Sequence, residues 1–302
     1  MKSYFKLIVL TALIENYSLS SVMNNNNIII NENKFTFVYS HGFNSAGIKS
    51  KKYIRQEILP KNTLSFNYED ATRYLALTEG VGLAFGLHNS AIGQLNDVKK
   101  LAEQIDQINS DNIILFGESR GASTIINYLG SQIAKPSKIK AVILDSPFDE
   151  LINVISFKLK NLHLSRFLKP KFVERCFSSI SKNYTLEGLQ PINTIKNVSK
   201  EIPVLFICSK EDSLIPWTSS LELYKCLIRS GHKRVHILTL AHGNHAFLTD
   251  GKCKKQYRNG VHAFFNKYSI PCHECYAVKG EKEILSSQPT IEQIDKFITN
   301  IS

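Results

Sequence analysis

Apolar runs of strand length recur along this chain, and stretches of helical periodicity separate them. FTFVYS at 35–40, DNIILFG at 111–117, IKAVILD at 139–145, IPVLFIC at 202–208 and RVHILTL at 234–240 are such runs, and TLSFNY at 63–68 is a weaker one. Between them, Leu95, Val98, Leu101, Ile105 and Ile108 mark one face of a helix within 94–108; 122–133 and 219–229 read as further helices. A strand with one wet face alternates apolar and polar residues. A run that is apolar throughout is covered on both faces, as parallel strands flanked by helices are. The fold class read from this pattern is α/β, a doubly wound and mostly parallel sheet. The segment of about 148–200 breaks the rhythm. It is too long for a simple strand-to-helix connection and holds amphipathic pieces of its own, such as FDELINVISFKLKNL. It is expected to form a small helical cap inserted between two strands.

The run at 111–117 leads directly into Gly117-Glu118-Ser119-Arg120-Gly121 and then into a helix. A G-x-S-x-G placed between strand and helix makes a sharp turn that lifts the serine hydroxyl to the top of the sheet. The glycines are needed because a side chain there would meet a neighbouring strand or helix, and the helix N-terminus favours the negative charge that nucleophilic attack creates. Ser119 is therefore the expected nucleophile. A serine hydroxyl needs a base within hydrogen-bond reach, and the base needs a carboxylate to fix its tautomer. On such a sheet the acid and then the histidine follow the serine in chain order. Asp212, in ICSKEDSLIP just after the run 202–208, is the preferred acid; Asp145, which ends the run 139–145, is the alternate. The base comes from LTLAHGNHAF, which holds His242 and His245 after the last apolar run.

Negative charge on a tetrahedral intermediate must meet fixed N–H donors. The amide of Arg120, just after the nucleophile, is one candidate. The other lies in YSHGFNS, where the amide of Phe43 is preferred over that of Asn44. His41 in the same loop is read as a structural histidine that orders it.

SHGFNS, GESRGAS, ILDSPF, IPVLFICSKEDSLIPW and HGNHAF follow one another in the order typical of the α/β-hydrolase superfamily of serine hydrolases, from about 35 to 268. The chain resembles the serine-aminopeptidase-like and lipase-like branch of that superfamily. The resemblance implies an α/β-hydrolase fold with Ser119, Asp212 and a histidine of 242–245 as its catalytic triad. His245 is favoured over His242 because Gly-x-His followed by an apolar residue resembles the family's pattern. FNYEDATRY at 66–74 replaces the family's usual loop, and the charged Glu118 and Arg120 flank the serine where small or aromatic residues are common. The implied activity is cleavage of an ester, thioester or amide through an acyl-enzyme, without metal or organic cofactor. The alternatives are acyl transfer by the same triad, or a non-catalytic binding protein on the same fold.

The 302 residues are 43% hydrophobic and 21% charged, enough for one large domain spanning 21–302. Residues 1–20 read as a secretory signal: Lys2 and Lys6 precede an apolar run from Leu7 to Ile14, with a plausible cut after Ser20. The expected location is secreted or extracytoplasmic, with cytoplasmic as the alternative. Cys272 and Cys275 in CHEC form one close pair, too few ligands for a structural zinc site. His242 and His245 read as metal ligands lack a carboxylate and a third ligand at suitable spacing. TIEQIDKFIT near the C-terminus reads as a short helix.

The net charge is +11, and the excess is concentrated. Residues 151–200 carry Lys158, Lys160, Arg166, Lys169, Lys171, Arg175, Lys182, Lys196 and Lys200 against Glu174 and Glu187. A basic surface attracts anionic partners. No zinc-finger, RNP or phosphate-loop pattern supports nucleic acid. The expected partner is a small-molecule or lipid acyl substrate that could be anionic, and peripheral membrane contact is compatible with the same charge. In this reading Lys169 and Lys171 tune the dependence of turnover on substrate charge.

Overall fold

The structure, a computed structural model, describes residues 35–43, 45–69 and 88–271. The signal-like segment 1–20, Asn44, most of the loop 66–74, the CHEC pair and the C-terminal helix read at 290–299 lie outside the described residues.

The apolar runs form a six-stranded sheet: β1 (Thr36–Ser40), β2 (Leu64–Ser65), β3 (Ile113–Glu118), β4 (Ile139–Asp145), β5 (Val204–Ser209) and β6 (Val235–Leu240). Their order is β2-β1-β3-β4-β5-β6, and every neighbouring pair is parallel. This is the doubly wound α/β-hydrolase arrangement. The weak run at 63–68 contributes only its Leu64–Ser65 pair to the sheet.

Helices α1 (Ser50–Arg55), α2 (Leu95–Asp106), α3 (Arg120–Leu129), α4 (Leu151–Asn161), α5 (Pro170–Ile180), α6 (Pro191–Thr194), α7 (Trp217–Arg229) and α8 (Lys254–Lys267) surround the sheet. Successive strand side chains point to opposite faces, and the core divides accordingly. Ile113, Leu115, Val142, Leu144, Val204 and Phe206 face one layer with α2, α3 and α7. Ile114, Phe116, Ala141, Ile143, Leu205 and Ile207 face the other, with Tyr53 of α1 and Tyr257, Val261, Phe264 and Phe265 of α8. Burial on both faces is why these strands read as unbroken apolar runs rather than alternating ones.

Between β4 and β5 the chain forms α4 and α5, a helical hairpin with a small apolar core of its own made by Ile155, Leu159, Leu168 and Val173. Among the described residues, no helix is long and apolar enough to cross a membrane.

Candidate active site

The strand order reverses at β1, with β2 to one side and β3 to the other, and the carboxyl ends of β1 and β3 meet the loop that carries Ser119. Such switch points leave a crevice above the strands where ligands bind. Ser119 sits between β3 and α3 with φ 55° and ψ −118°, a conformation a non-glycine residue adopts only when its surroundings impose it. Its N–H donates to the Asp145 carbonyl at 2.7 Å, and its own carbonyl accepts the first bond of α3 from Ser123 N–H. The flanking glycines are forced by packing. A Cβ on Gly121 would lie 2.0 Å from the Ser40 carbonyl oxygen of β1, and one on Gly117 would lie 2.6 Å from Ala122 Cα. The α3 helix can start this close to the sheet only without those side chains.

The acid and base come from the next two strand ends. Asp212 lies in the turn after β5. Its Oδ1 accepts the N–H groups of Leu214 (2.9 Å) and Ile215 (2.8 Å), which leaves Oδ2 for His245. Nδ1 of His245 donates to that Oδ2 at 2.7 Å, and both side chains are almost wholly buried. The bond selects the tautomer with Nδ1–H, so Nε2 is the nitrogen left to take a proton. The His245 loop is held in turn by Asn244, whose Oδ1 accepts from Ser213 N–H and Ser213 Oγ as well as from His245 N–H.

Ser119 and His245 line one cavity, together with Gly42 and Phe43 from the loop after β1. Gly42 packs against the serine, since a Cβ there would lie 3.5 Å from Ser119 Cβ. The hairpin closes the cavity from above through Leu151, Val154, Ile155 and Phe177, and Ile215 closes one side. Lys49 and Lys158 are the cationic residues of the wall beside Arg120, while Lys169 and Lys171 are absent from it.

Comparison with known proteins places the chain in a family and matches its fold. Residues 89–270 match the Prolyl oligopeptidase family. The chain belongs to that family. It is a member of the α/β-hydrolase superfamily of serine hydrolases. Among relatives, the uncharacterized protein YfhR of Escherichia coli is 28% identical over 192 residues, 63% of this chain and 56% of its own length. The uncharacterized protein YqkD of Bacillus subtilis is 26% identical over 237 residues, 76% of this chain and 71% of its own. The chain therefore spans little more than half the length of the Escherichia coli relative. An esterase of Pyrococcus furiosus superposes with a TM-score of 0.53 at 18% identity, covering 78% of this chain and 83% of the esterase. An acylaminoacyl peptidase of Pyrococcus horikoshii reaches 0.55 at 20% identity, covering 84% of this chain and 40% of the peptidase. At these identities the likeness is one of fold.

This member of the prolyl oligopeptidase family keeps the alternates away from the cavity. His242 is exposed, and its Nδ1 bonds Glu211 Oε1 at 2.7 Å. Glu211 also accepts the Gly243 N–H, so His242 shapes the surface of the loop. Asp145 faces the opposite side of the sheet end. Its Oδ2 accepts the hydroxyls of Tyr53 (3.1 Å) and Tyr257 (2.7 Å), and its Oδ1 accepts Ser146 Oγ. Among the described residues, no three His, Cys, Asp or Glu side chains gather to hold a metal.

The electrostatics follow from burial and neighbours. Burial opposes a charged imidazole, but the Asp212 charge and hydrogen bond, backed by Glu118 and Asp145, outweigh it and hold His245 above the ordinary histidine value. Asp145 is pushed up to about 6, first by burial and then by the charge of Glu118 beside it. For Glu118 burial acts upward as well, but Lys52, Lys49 and the Tyr39 hydrogen bond bring it below the usual carboxylate range.

Two structural supports escaped the sequence reading. Arg120 is buried and grips Asp97 with two parallel bonds, Nε to Oδ2 at 2.6 Å and a terminal nitrogen to Oδ1 at 2.5 Å. Its guanidinium also lies 4.5 Å from the Tyr68 ring centre. Tyr39 donates to Glu118 Oε2 at 2.5 Å. Charged residues on both sides of a buried serine were the available signal, because a buried charge without a partner is prohibitive. His41 is buried; Nδ1 donates to the Gly42 carbonyl, and Nε2 accepts the Tyr68 N–H at 3.1 Å, tying the loop to the chain after β2.

Proposed function

We propose that the protein hydrolyses a carboxylic ester, thioester or amide with an apolar acyl group, through an acyl-enzyme on Ser119. The observation that carries this reading is the buried His245–Asp212 pair opening onto the same apolar cavity as the strained Ser119. Ser119 Oγ attacks the carbonyl carbon while its proton passes to His245 Nε2. Asp212 holds the ring and steadies the imidazolium. The amides of Arg120 and Phe43 face the oxyanion. Collapse breaks the bond to the leaving group, which departs with the proton from Nε2. Water then gives up a proton to the same nitrogen and attacks the acyl carbon; collapse breaks the bond to Ser119 Oγ, which takes that proton back from Nε2, and the acid is released. The Pyrococcus neighbours are named an esterase and an acylaminoacyl peptidase, and cleavage of an ester or an amide suits this site. The apolar walls favour a hydrocarbon acyl chain, and Lys49 and Lys158, against the single carboxylate of Glu118 in the same wall, favour a neutral or anionic substrate over a cationic one.

A fluorophosphonate probe tests the assignment. Wild-type protein should be labelled at Ser119, and Ser119→Ala should not. An unlabelled wild type, or labelling that survives the exchange, overturns it.

A further inference from the structure

The hairpin of α4 and α5 has two sides. Its inner side lines the cavity. Its tip presents a surface that neither the fold nor the proposed chemistry uses. From Lys160 to Phe172 every residue is exposed except Leu164, Leu168 and Pro170. Within that tip large apolar side chains stand in water: Phe167 is 77% exposed, Phe172 54% and Leu162 37%. Basic side chains surround them: Lys160, Arg166, Lys169, Lys171 and Arg175 are all exposed. None of these five forms an ion pair among the described residues. No acidic residue occurs from Leu151 to Val173, and Glu174, the first to follow, accepts the hydroxyl of Tyr184.

Exposed aromatics on a solvent-facing tip are unfavourable in water, and a clustered apolar patch rimmed by charge marks a docking surface. The hairpin core of Ile155, Leu159, Leu168 and Val173 gives Phe167 and Phe172 a framed base, since each neighbours a buried member of that core in sequence. We infer that this tip docks on an anionic phospholipid bilayer, with Phe167, Phe172 and Leu162 entering the interface and the surrounding Lys and Arg side chains binding headgroups. Charge complementarity decides the occupant. Amphipathic surfaces with aromatics on one face and lysines around them sit at the headgroup boundary. Each basic side chain near an anionic leaflet adds about fivefold to affinity. The same two helices that touch lipid also wall the cavity through Leu151, Val154, Ile155 and Phe177. A lipid-like acyl substrate would therefore reach Ser119 beneath the docked hairpin.

Vesicle sedimentation tests the surface without relying on catalysis. The full-length protein should pellet with vesicles of equimolar phosphatidylcholine and phosphatidylserine. It should bind vesicles of phosphatidylcholine alone far more weakly, and added salt should loosen it. Phe167→Ser with Phe172→Ser should weaken binding about tenfold or more. Lys169→Glu with Lys171→Glu should remove the preference for phosphatidylserine. Both double variants should melt where the wild type melts, because the exchanged side chains lie outside the cores. Protein that stays in the supernatant with anionic vesicles overturns the proposal. So does binding that survives both double exchanges, or a concentration-dependent dimer, lost with the two phenylalanines, that forms without any vesicle binding.

Discussion

The elbow around Ser119 and the tip of the α4–α5 hairpin are opposite solutions to the placing of charge and aromatic rings. At the elbow, Glu118, Arg120 and Asp145 are buried and bonded to Tyr39, Asp97, Tyr53 and Tyr257, with Glu118 Oε1 the one carboxylate oxygen there that has no hydrogen bond among the described residues. At the tip, arginine, lysine and phenylalanine side chains stand in water without ion-pair partners among the described residues. A buried ionic group must be satisfied in place, so it rigidifies what surrounds it. An exposed one is free to meet something outside the molecule. The contrast teaches that the machinery of this protein is held by the sheet, whereas the hairpin tip is available to a partner. Substitutions should therefore have large consequences at the first site and small ones at the second.

The largest effect is expected within the loop 242–245. His245→Ala should lower kcat/KM about 10⁴- to 10⁶-fold, as loss of the base in a triad does, while His242→Ala should change it by less than about threefold. The reverse result would move the base to the exposed imidazole and break the comparison. A pH profile sharpens it. Nε2 must be neutral to take the proton of Ser119, and Asp212 holds the imidazole above the ordinary value of 6.5. Activity should therefore fall as pH drops through a midpoint above that value. In Asp212→Asn, burial acts without the opposing charge, so the much weaker residual activity should lose its acid limb only at lower pH. An acid limb that stays in place would show that Asp212 does not set the His245 pKa.

Next are the supports of the elbow. Arg120→Ala takes the guanidinium away from the buried Asp97 carboxylate, whose Oδ2 keeps only a neutral donor such as the Gly93 N–H beside it, and should destabilise the protein by about 3 kcal/mol in denaturant titration. Gly121→Ala should cost about 3 kcal/mol or more, because the new methyl meets the Ser40 backbone rather than a movable side chain. A loss below about 1 kcal/mol in Gly121→Ala would mean that β1 and α3 can separate without penalty, and one as small in Arg120→Ala would mean that the Asp97 charge is met without the guanidinium, contrary to the packing described.

These two supports also mark where the sequence was readable. The strands at 113–118, 139–145 and 204–209 were legible because both faces of each are covered, which leaves an uninterrupted apolar run. The serine was legible because G-x-S-x-G lies between such a run and a helix. Asp97 was not, since a carboxylate in the first turn of a helix has an adequate reading as a favourable charge at its N-terminus. Only the tertiary fold shows that it neutralises Arg120. The strand at Leu64–Ser65 was overdrawn as six residues, because the apolar and aromatic residues after it, Phe66 and Tyr68, are buried from a loop. After His245 the chain does not turn helical at once, and α8 begins only at Lys254. The intervening turn carries Ala246 at φ 60° and buries Leu248 under Gly243.

The smallest effects are expected in the hairpin, and they separate its inside from its outside. Leu159 is fully buried in the hairpin core, so Leu159→Ala should cost about 2 kcal/mol, the low end for such an exchange because a small core relaxes around the lost methyls. Phe167→Ser, 77% exposed only eight positions later in the chain, should change stability by less than about 0.5 kcal/mol. Thermal melts of the two variants measure the difference directly. If Phe167→Ser proved as costly as Leu159→Ala, the ring would be part of the hairpin's packing and its exposure would have no bearing on a partner. If it left stability unchanged, an aromatic ring kept in water on a basic tip would have no role in folding. The physical reason for placing it there would then have to lie in what it touches outside the protein.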